Sequence, residues 1–537
     1  MELSHLIWSS QVENVRVCCP LMPPVTGTLC VSSHHLILSA SPVEGTKQEK
    51  CELWLLHCAV DSVEKSVQNI GMLKSKDSSK DGDGRSSSGT VTLKCKDLRV
   101  IQLEIPDMEE TFNVARSVQA LSSLENISLR YPFFYRPAGC KLGKGWPRHT
   151  MENFYHNLKA ETDAWRLSDV NNNFKVCPSY PEKVIVPVSC SDTTLKRAAA
   201  FRQGRRFPVL SYYHPRNKMV LLRSSQPLVG PNHHCCEDDE MLLDAALMGQ
   251  WRGFIIDTRT EQEAKQARSA GGGTENKNRG QALQSSLTRV VGACYETYLG
   301  RNHWLSKLQA SQWLSHIKEA LSTAGLAAEC IEREGTCVLV HGEEGTNNTL
   351  LVTSLAQLIL SPDCRTVVGF QDLIEREWLQ AGHPFQVRCA RSGWAHGRFQ
   401  QESPNFLLFL DCCWQLTRQF PMAMEFNEKF LCTLATHAYS SEYGTFLCNS
   451  EKERYVYKIR ENTHSLWGAL NNFQQRKYLV NPVYERNALA IWPSVAPQSI
   501  ELWEGFFLRY FVPTKHKEMS WQRTWELSGS YHRPGYK

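Results

Sequence analysis

The run VLVHGEEGTNNTLLVTSLAQLIL, Val338 to Leu360, constrains the fold more than any other stretch of the chain. It opens with apolar and β-branched residues and passes through a short polar segment holding Gly342 and Gly345. Leu351, Leu355, Leu358 and Ile359 then recur at i, i+4, i+7 and i+8. This predicts a buried strand, a loop and a helix with one face on a sheet. The N–H groups at the helix start face the loop from Gly342 to Asn348, so the backbone alone forms an anion cradle. A plain strand-to-helix turn reads the same way, and the loop contains neither cysteine nor arginine.

Around this unit the chain keeps alternating strands and helices. RFPVLSYYHPRNKMVLLRSSQP, Arg206 to Pro227, predicts two strands joined by a turn at His214 to Asn217, and GFIIDTR, Gly253 to Arg259, predicts a buried strand leading to a helix that ends at Gly271, Gly272 and Gly273. That triple glycine follows a helix instead of opening one, so it is a helix stop and not a dinucleotide loop. Trp304 to Ile331 reads as helical and Cys337 to His341 as a strand, which makes this part of the chain α/β.

The N-terminal part reads differently. GTLCVSSHHLILS from Gly27, CELWLLHCAV from Cys51 and TVTLKCKDLRVIQLEI from Thr90 are short β-like runs separated by turn residues, the pattern of a small antiparallel domain. Met108 to Leu124 has apolar residues at helical spacing and closes it. Lys74 to Gly89, KSKDSSKDGDGRSSSG, has too little apolar surface to order itself and predicts a flexible hairpin tip. The Pro-, Gly- and aromatic-rich connector Tyr131 to Pro147 marks a boundary near residue 145.

At 537 residues the chain exceeds what one core accommodates, so two or more domains are expected. A formal charge of +5 spread over this length creates no demand for nucleic acid. The 20 cysteines include many in apolar segments, among them Cys18, Cys58, Cys330, Cys337, Cys412 and Cys413, and MELSHLIWSSQ is no secretory leader, so a reducing cytosol is expected. Strongly apolar stretches such as Asn405 to Leu416 fall short of the roughly 18 residues a membrane span needs, which leaves only peripheral membrane contact.

The segments FPVLSYYH, RSSQPLVG, SQWLSHIKE, VLVHG with TSLAQLIL, GFQDLIEREWLQAGHPF, FLLFLDCCWQ, QFPMAMEFNEKFL and IWPSVAPQSIELWEG, in this order, closely resemble the myotubularin family of phosphoinositide 3-phosphatases over roughly residues 5 to 510. The resemblance implies an α/β cysteine-phosphatase-like domain preceded by a β-rich PH-GRAM domain, a PH-like sheet with a closing helix. It sets expected boundaries at residues 1–125 for the PH-GRAM domain, 126–147 for a linker, 148–512 for the phosphatase-like domain and 513–537 for a tail.

Active members of the family carry His-Cys-Ser-Asp-Gly-Trp-Asp-Arg-Thr where this chain has His341, Gly342, Glu343, Glu344, Gly345, Thr346, Asn347, Asn348 and Thr349. Their chemistry needs a thiolate with its pKa lowered at a helix N-terminus, an arginine gripping the phosphate, and an acid for the leaving oxygen. Gly342 stands in the place of the nucleophile, Asn348 in that of the arginine and Asn347 in that of the acid, so the expected catalytic set is empty. Glu343 and Glu344, within about 6 Å of a phosphate and with the loop's cation gone, would outweigh a helix-dipole attraction of about 0.3 to 1 kcal/mol. Cys337, on the strand before the loop, is expected to pack as a small hydrophobe.

Other candidates have simpler readings. His233, His234, Cys235 and Cys236 are adjacent and cannot easily converge on one metal ion, so a surface loop is expected, with no metal and no cofactor. Asp257 and Arg259 match the family's Asp-x-Arg strand end beside the loop and read as scaffold contacts. Lys94, Lys96 and Arg99 could meet anionic lipid, as a PH-like domain implies, or form a solvated strand face. His316 reads as a core or cap residue. The chain departs from the family in two places: about one strand is absent after the triple glycine, and Pro513 to Lys537 has no heptad pattern for the family's coiled coil. The expectation is a catalytically inactive regulator that pairs with active myotubularin-related phosphatases, at the cytoplasmic face of endomembranes. Self-association and weak contact with phosphoinositide membranes are further expectations. The alternative is a phosphoinositide-binding adaptor acting through the PH-GRAM domain.

Overall fold

The computed structural model describes residues 3–20, 23–40, 51–67, 88–132, 145–146, 150–230, 234–247, 249–250, 252–259, 277–298, 304–394 and 401–510. The predicted hairpin tip falls largely outside these residues, and the triple glycine and the tail 513–537 wholly outside them.

Seven strands of the N-terminal part are β1 (Gln11–Cys18), β2 (Val25–Val31), β3 (His35–Ala40), β4 (Cys51–Leu56), β5 (Val60–Val67), β6 (Gly89–Cys95) and β7 (Val100–Ile105). They form an antiparallel sheet in the order β4-β3-β2-β1-β7-β6-β5. Burial alternates along β6, so Val91, Leu93 and Cys95 face the core while Lys94 faces the other way. Helix α1 (Met108–Ser122) starts where the Asp107 carboxylate accepts from Glu110 N–H at 2.9 Å, and it buries Val114, Ala115, Val118 and Leu121 against the sheet.

The second region is built on strands β8 (Trp165–Ser168), β9 (Val184–Pro187), β10 (Val209–Tyr213), β11 (Val220–Ser225), β12 (Gly253–Asp257) and β13 (Cys337–Gly342). β8 and β9 pair with each other, and the rest form a sheet in the order β10-β11-β13-β12. β13 is central, parallel to both β11 and β12, while β10 and β11 are the predicted antiparallel hairpin. Helices α2 (Trp313–Glu332), α3 (Asn348–Leu360) and α4 (Asn405–Gln419) pack around this sheet in one large core.

Three expectations need correction. β12 is an edge strand with Phe254 and Ile255 exposed, because only β13 pairs with it among the described residues; it is not buried. The segment 304–331 is two helices, Trp304–Ser311 and α2, broken at Gln312, whose φ of 62° is left-handed and cannot continue a helix. Helix α3 presents no solvent face: every residue from Thr349 to Leu360 is buried, since α2, α4 and the sheet surround it. Residues 277–298, which include LTRVVGAC, form one helix that is not among the expected elements.

The two regions meet along a polar seam. The Asp61 carboxylate accepts from Ser392 N–H at 3.0 Å and Ser392 Oγ at 2.6 Å, and Arg391 donates to the Asp61 carbonyl at 2.7 Å. Trp394 Nε1 donates to the Cys95 carbonyl at 3.0 Å, and Lys94 Nζ lies 5.5 Å from the centre of the Trp394 ring. Of the three basic residues expected either to meet lipid or to form a solvated strand face, Lys96 does neither. Lys96 is only 3% exposed, and burial, reinforced by Arg130, lowers its ammonium pKa to about 7. Lys94 pairs with Glu64, Arg99 with Asp97, and Asp97 in turn accepts from Tyr510 and Arg509.

Candidate functional site

Strand β13 delivers His341 and Gly342 to the end of the sheet, and α3 begins at Asn348 after a loop of five residues, 343–347. The loop crosses the end of β11: Gln226 N–H donates to the Glu343 carbonyl at 3.3 Å. Gly345 has a φ of +67°, and a Cβ there would stand 2.5 Å from the Ser224 carbonyl oxygen, so only glycine fits this close approach. Asn347 occupies the N-cap position without a side-chain cap bond, and its carbonyl accepts from Leu351 N–H at 3.0 Å.

The position of Gly342 is filled from the neighbouring strand end. A Cβ built there would lie 2.5 Å from Thr258 Oγ1 and 3.1 Å from Thr349 Oγ1. The Thr258 N–H donates to the His341 carbonyl at 2.8 Å, which fixes the threonine beside the loop.

Sequence reasoning missed the side chains that close the loop, because they come from distant segments. Arg206, fully buried, donates to the Gly345 carbonyl at 2.9 Å and to Ser179 Oγ at 2.8 Å, with its guanidinium 4.4 Å from the centre of the Tyr180 ring. His383 Nδ1 lies 2.8 Å from the Thr346 carbonyl. Arg388 donates to Asn347 Oδ1 at 3.2 Å and stands 3.6 Å from the Glu344 carboxylate, while Asn405 donates to Asn348 Oδ1 at 3.0 Å. The loop is therefore not without cations, as its own residues suggest. Arg206 and Arg388 reach it from outside, and Arg388 offsets part of the charge of Glu344. The local signal that could have found them is weak: Arg206 is one of three arginines in RQGRRFPV and Arg388 one of two in FQVRCARS, with nothing local to single out either.

His341 is buried, which lowers its pKa to about 4 despite Asp257, whose carboxylate is 4.0 Å from Nε2. The ring is neutral at physiological pH. His383 is lowered to about 3 by full burial. Asp257 is itself pulled up by burial but ends below the usual carboxylate range through its hydrogen bonds to Arg259 and the nearby His341. Arg259 grips Asp257 through Nε and Nη2 and also contacts Gln226, so this pair is a strand-end brace beside the loop. No side chain of residues 341–349 carries a thiol or a guanidinium.

The other candidates lie elsewhere. Cys337 is buried with its Sγ 3.8 Å from Met219 Sδ, and burial raises its thiol pKa. His234 and Cys235 are exposed and Cys236 is half-buried, just before the helix that starts at Glu237, and His233 lies outside the described residues. Among the described residues no group of three or more His, Cys, Asp or Glu could hold a metal. His316 is neither core nor cap: it is half-buried on α2 with Nδ1 3.9 Å from Glu319. Among the described residues no helix is long and apolar enough to cross a membrane.

Residues 130–455 match the family described as the myotubularin-like phosphatase domain. A myotubularin-related protein 9-like protein of Bos taurus is 51% identical over 98% of this chain and 96% of its own length. Myotubularin-related protein 9 of Homo sapiens is 49% identical over 97% of this chain and 93% of its own length. The phosphatidylinositol-3-phosphate phosphatase MTMR7 of Homo sapiens is 32% identical over 94% of this chain and 76% of its own length.

Proposed function

The chain belongs to the myotubularin family, and from that premise we propose that it is a pseudophosphatase that binds an active family member and regulates its phosphoinositide turnover. The observation that carries this reading is the loop. Gly342, Asn347 and Asn348 offer no nucleophile, acid or phosphate-gripping cation, and Glu343 and Glu344 add negative charge where a phosphate would sit. The cations that do reach the loop are engaged with its own carbonyl, amide and carboxylate groups. The neutral His341 adds no positive charge. A relative named for acting on phosphatidylinositol 3-phosphate supports this lipid as the substrate class of the regulated partner, and we extend the proposal to phosphatidylinositol 3,5-bisphosphate.

The N-terminal sheet with its closing helix α1 supports a PH-GRAM domain over residues 1–125, a linker over 126–147 and a phosphatase-like domain over 148–512. The protein works in the cytoplasm at endomembrane surfaces. Its pairing draws on the two folded domains. The burial of Lys96 counts against an adaptor that grips lipid through the N-terminal basic stripe.

The test has two arms. Phosphate release from phosphatidylinositol 3-phosphate is expected to match a Gly342→Ala control, and Gly342→Cys alone is expected to stay inactive, since Asn347 and Asn348 remain and the new Cβ meets Thr258. Co-expression with an active myotubularin is expected to give a co-purifying complex with altered lipid turnover. Turnover by the isolated chain would sink the first half of the proposal. Failure of the complex to form would sink the second.

A further inference from the structure

Phe473 is 87% exposed, the highest value among the described large apolar side chains. It opens the one-turn helix Phe473–Arg476, whose start is fixed by Asn472 Oδ1 accepting from Gln474 N–H at 3.1 Å, and every residue from Asn471 to Gln475 is exposed. This segment is a protrusion held in place, not a frayed end.

Further exposed apolar side chains lie on two segments tied to each other. Tyr478 is 55% exposed and Met422 is 49% exposed. Asn427 donates to the Tyr478 carbonyl at 2.9 Å, Asn481 to the Pro421 carbonyl at 2.7 Å, and Glu485 N–H to the Met422 carbonyl at 2.8 Å. Lys477 Nζ stands 4.8 Å and Lys429 Nζ 5.5 Å from the centre of the Tyr478 ring. Both lysines are exposed and form no ion pair among the described residues, whereas the neighbouring Arg476 is matched by Glu425 at 3.2 Å. Glu485, whose N–H donates to the Met422 carbonyl, is an exposed carboxylate beside it.

An apolar patch with lysines around an aromatic ring fits two kinds of surface, and its composition decides between them. Protein interfaces deplete lysine at their cores and seat aromatic anchors in pockets. A bilayer surface takes protruding aromatic rings at headgroup depth and attracts flanking lysines when its lipids are acidic. We propose that the exposed Met422, Lys429, Lys477 and Tyr478, together with Phe473 on the helical turn just before Lys477 in the chain, dock onto an anionic lipid bilayer. Phe473 and Tyr478 enter the headgroup layer, and the two lysines lie over acidic headgroups. This contact is independent of the degenerate loop and of the N-terminal sheet.

The experiment is co-sedimentation of the full chain with phosphatidylcholine vesicles, with and without phosphatidylserine. Binding is expected only with phosphatidylserine and is expected to weaken as salt rises. A variant carrying Phe473→Ser and Tyr478→Ser is expected to lose roughly tenfold in partitioning. A variant carrying Lys429→Gln and Lys477→Gln is expected to lose roughly fivefold per charge and most of the salt dependence. Lys94→Gln is expected to bind like the parent chain. The proposal is overturned if the parent chain ignores phosphatidylserine, if both double variants bind like the parent, or if Lys94→Gln abolishes binding. It is also overturned, in favour of a protein contact, if the Phe473 and Tyr478 variant keeps its vesicle binding but loses a co-purifying myotubularin.

Discussion

Helix α3 and the loop that feeds it are adjacent in the chain and opposite in character. The helix is enclosed from Thr349 to Leu360, and its Thr353, Ser354 and Gln357 side chains are matched inside the core. Thr353 Oγ1 donates to Glu377 at 3.0 Å, and Gln357 Nε2 donates to Ser211 Oγ at 3.0 Å. In the loop, by contrast, Glu343, Glu344 and Asn347 are half-exposed, and the polypeptide is held mainly by groups arriving from elsewhere: Arg206, His383 and Arg388. A strand and a helix fixed by packing leave the connecting residues open to change with little effect on the fold. A family can then lose the chemistry of such a loop while keeping the architecture that once positioned it.

The comparison breaks if the loop proves as costly to alter as the helix. Leu355→Ala, at a fully buried site, is expected to lower the unfolding free energy by about 2 to 5 kcal/mol, read from denaturant titration. Arg206→Ala leaves the Gly345 carbonyl and Ser179 without their donor and is expected to cost about 1 to 3 kcal/mol, together with faster proteolysis near residue 345. Equal losses for the two variants would mean that the loop is as much a part of the framework as α3.

Titration sharpens the contrast. His341 has a folded pKa of about 4 against an ordinary value of 6.5, so the unfolded chain takes up its proton first as pH falls. Its contribution is intact above 6.5 and is lost between 6.5 and 4, by at most about 1.4 kcal/mol per pH unit. Asp411, raised to about 7 by burial, acts in the opposite sense, since its contribution is lost as pH rises from 3.8 to about 7. The useful measurement is therefore the difference between the parent chain and His341→Gln, which is expected to lose less stability between pH 7 and 5. Identical slopes would show that His341 is not the titrating group. The smallest effect is expected for Glu344→Ser, whose side chain is 43% exposed: a change within about 0.5 kcal/mol by the same denaturant titration.

The scaffold of the site could be read from the sequence because its signals are local. VLVHG announces β13, the hairpin around His214 follows from two apolar runs, and the identities of Gly342, Asn347 and Asn348 needed no coordinates. Periodicity misled where burial is complete. Leu351, Leu355, Leu358 and Ile359 pick out one face of α3, but Leu350, Val352 and Ala356 are equally buried, and an apolar run this dense carries little directional information. The grip of Arg206 and Arg388 on the loop was invisible because neither residue is near it in sequence. The same holds for Lys96, in the turn after β6, whose charge suggests solvent although it is buried beside Asp61 and Arg130.

That burial bears on how the molecule should be dissected. An excised fragment of residues 1–125 would leave Asp61 without Ser392 and Arg391, and Lys94 without the Trp394 ring. Lys96, which the intact chain keeps out of water, would become a newly wetted cation beside Lys94 and Arg99. Such a fragment would carry a positive surface absent from the whole protein, and a lipid overlay performed with it would register an artefact of truncation. Affinities for this chain are meaningful when measured on the undivided polypeptide.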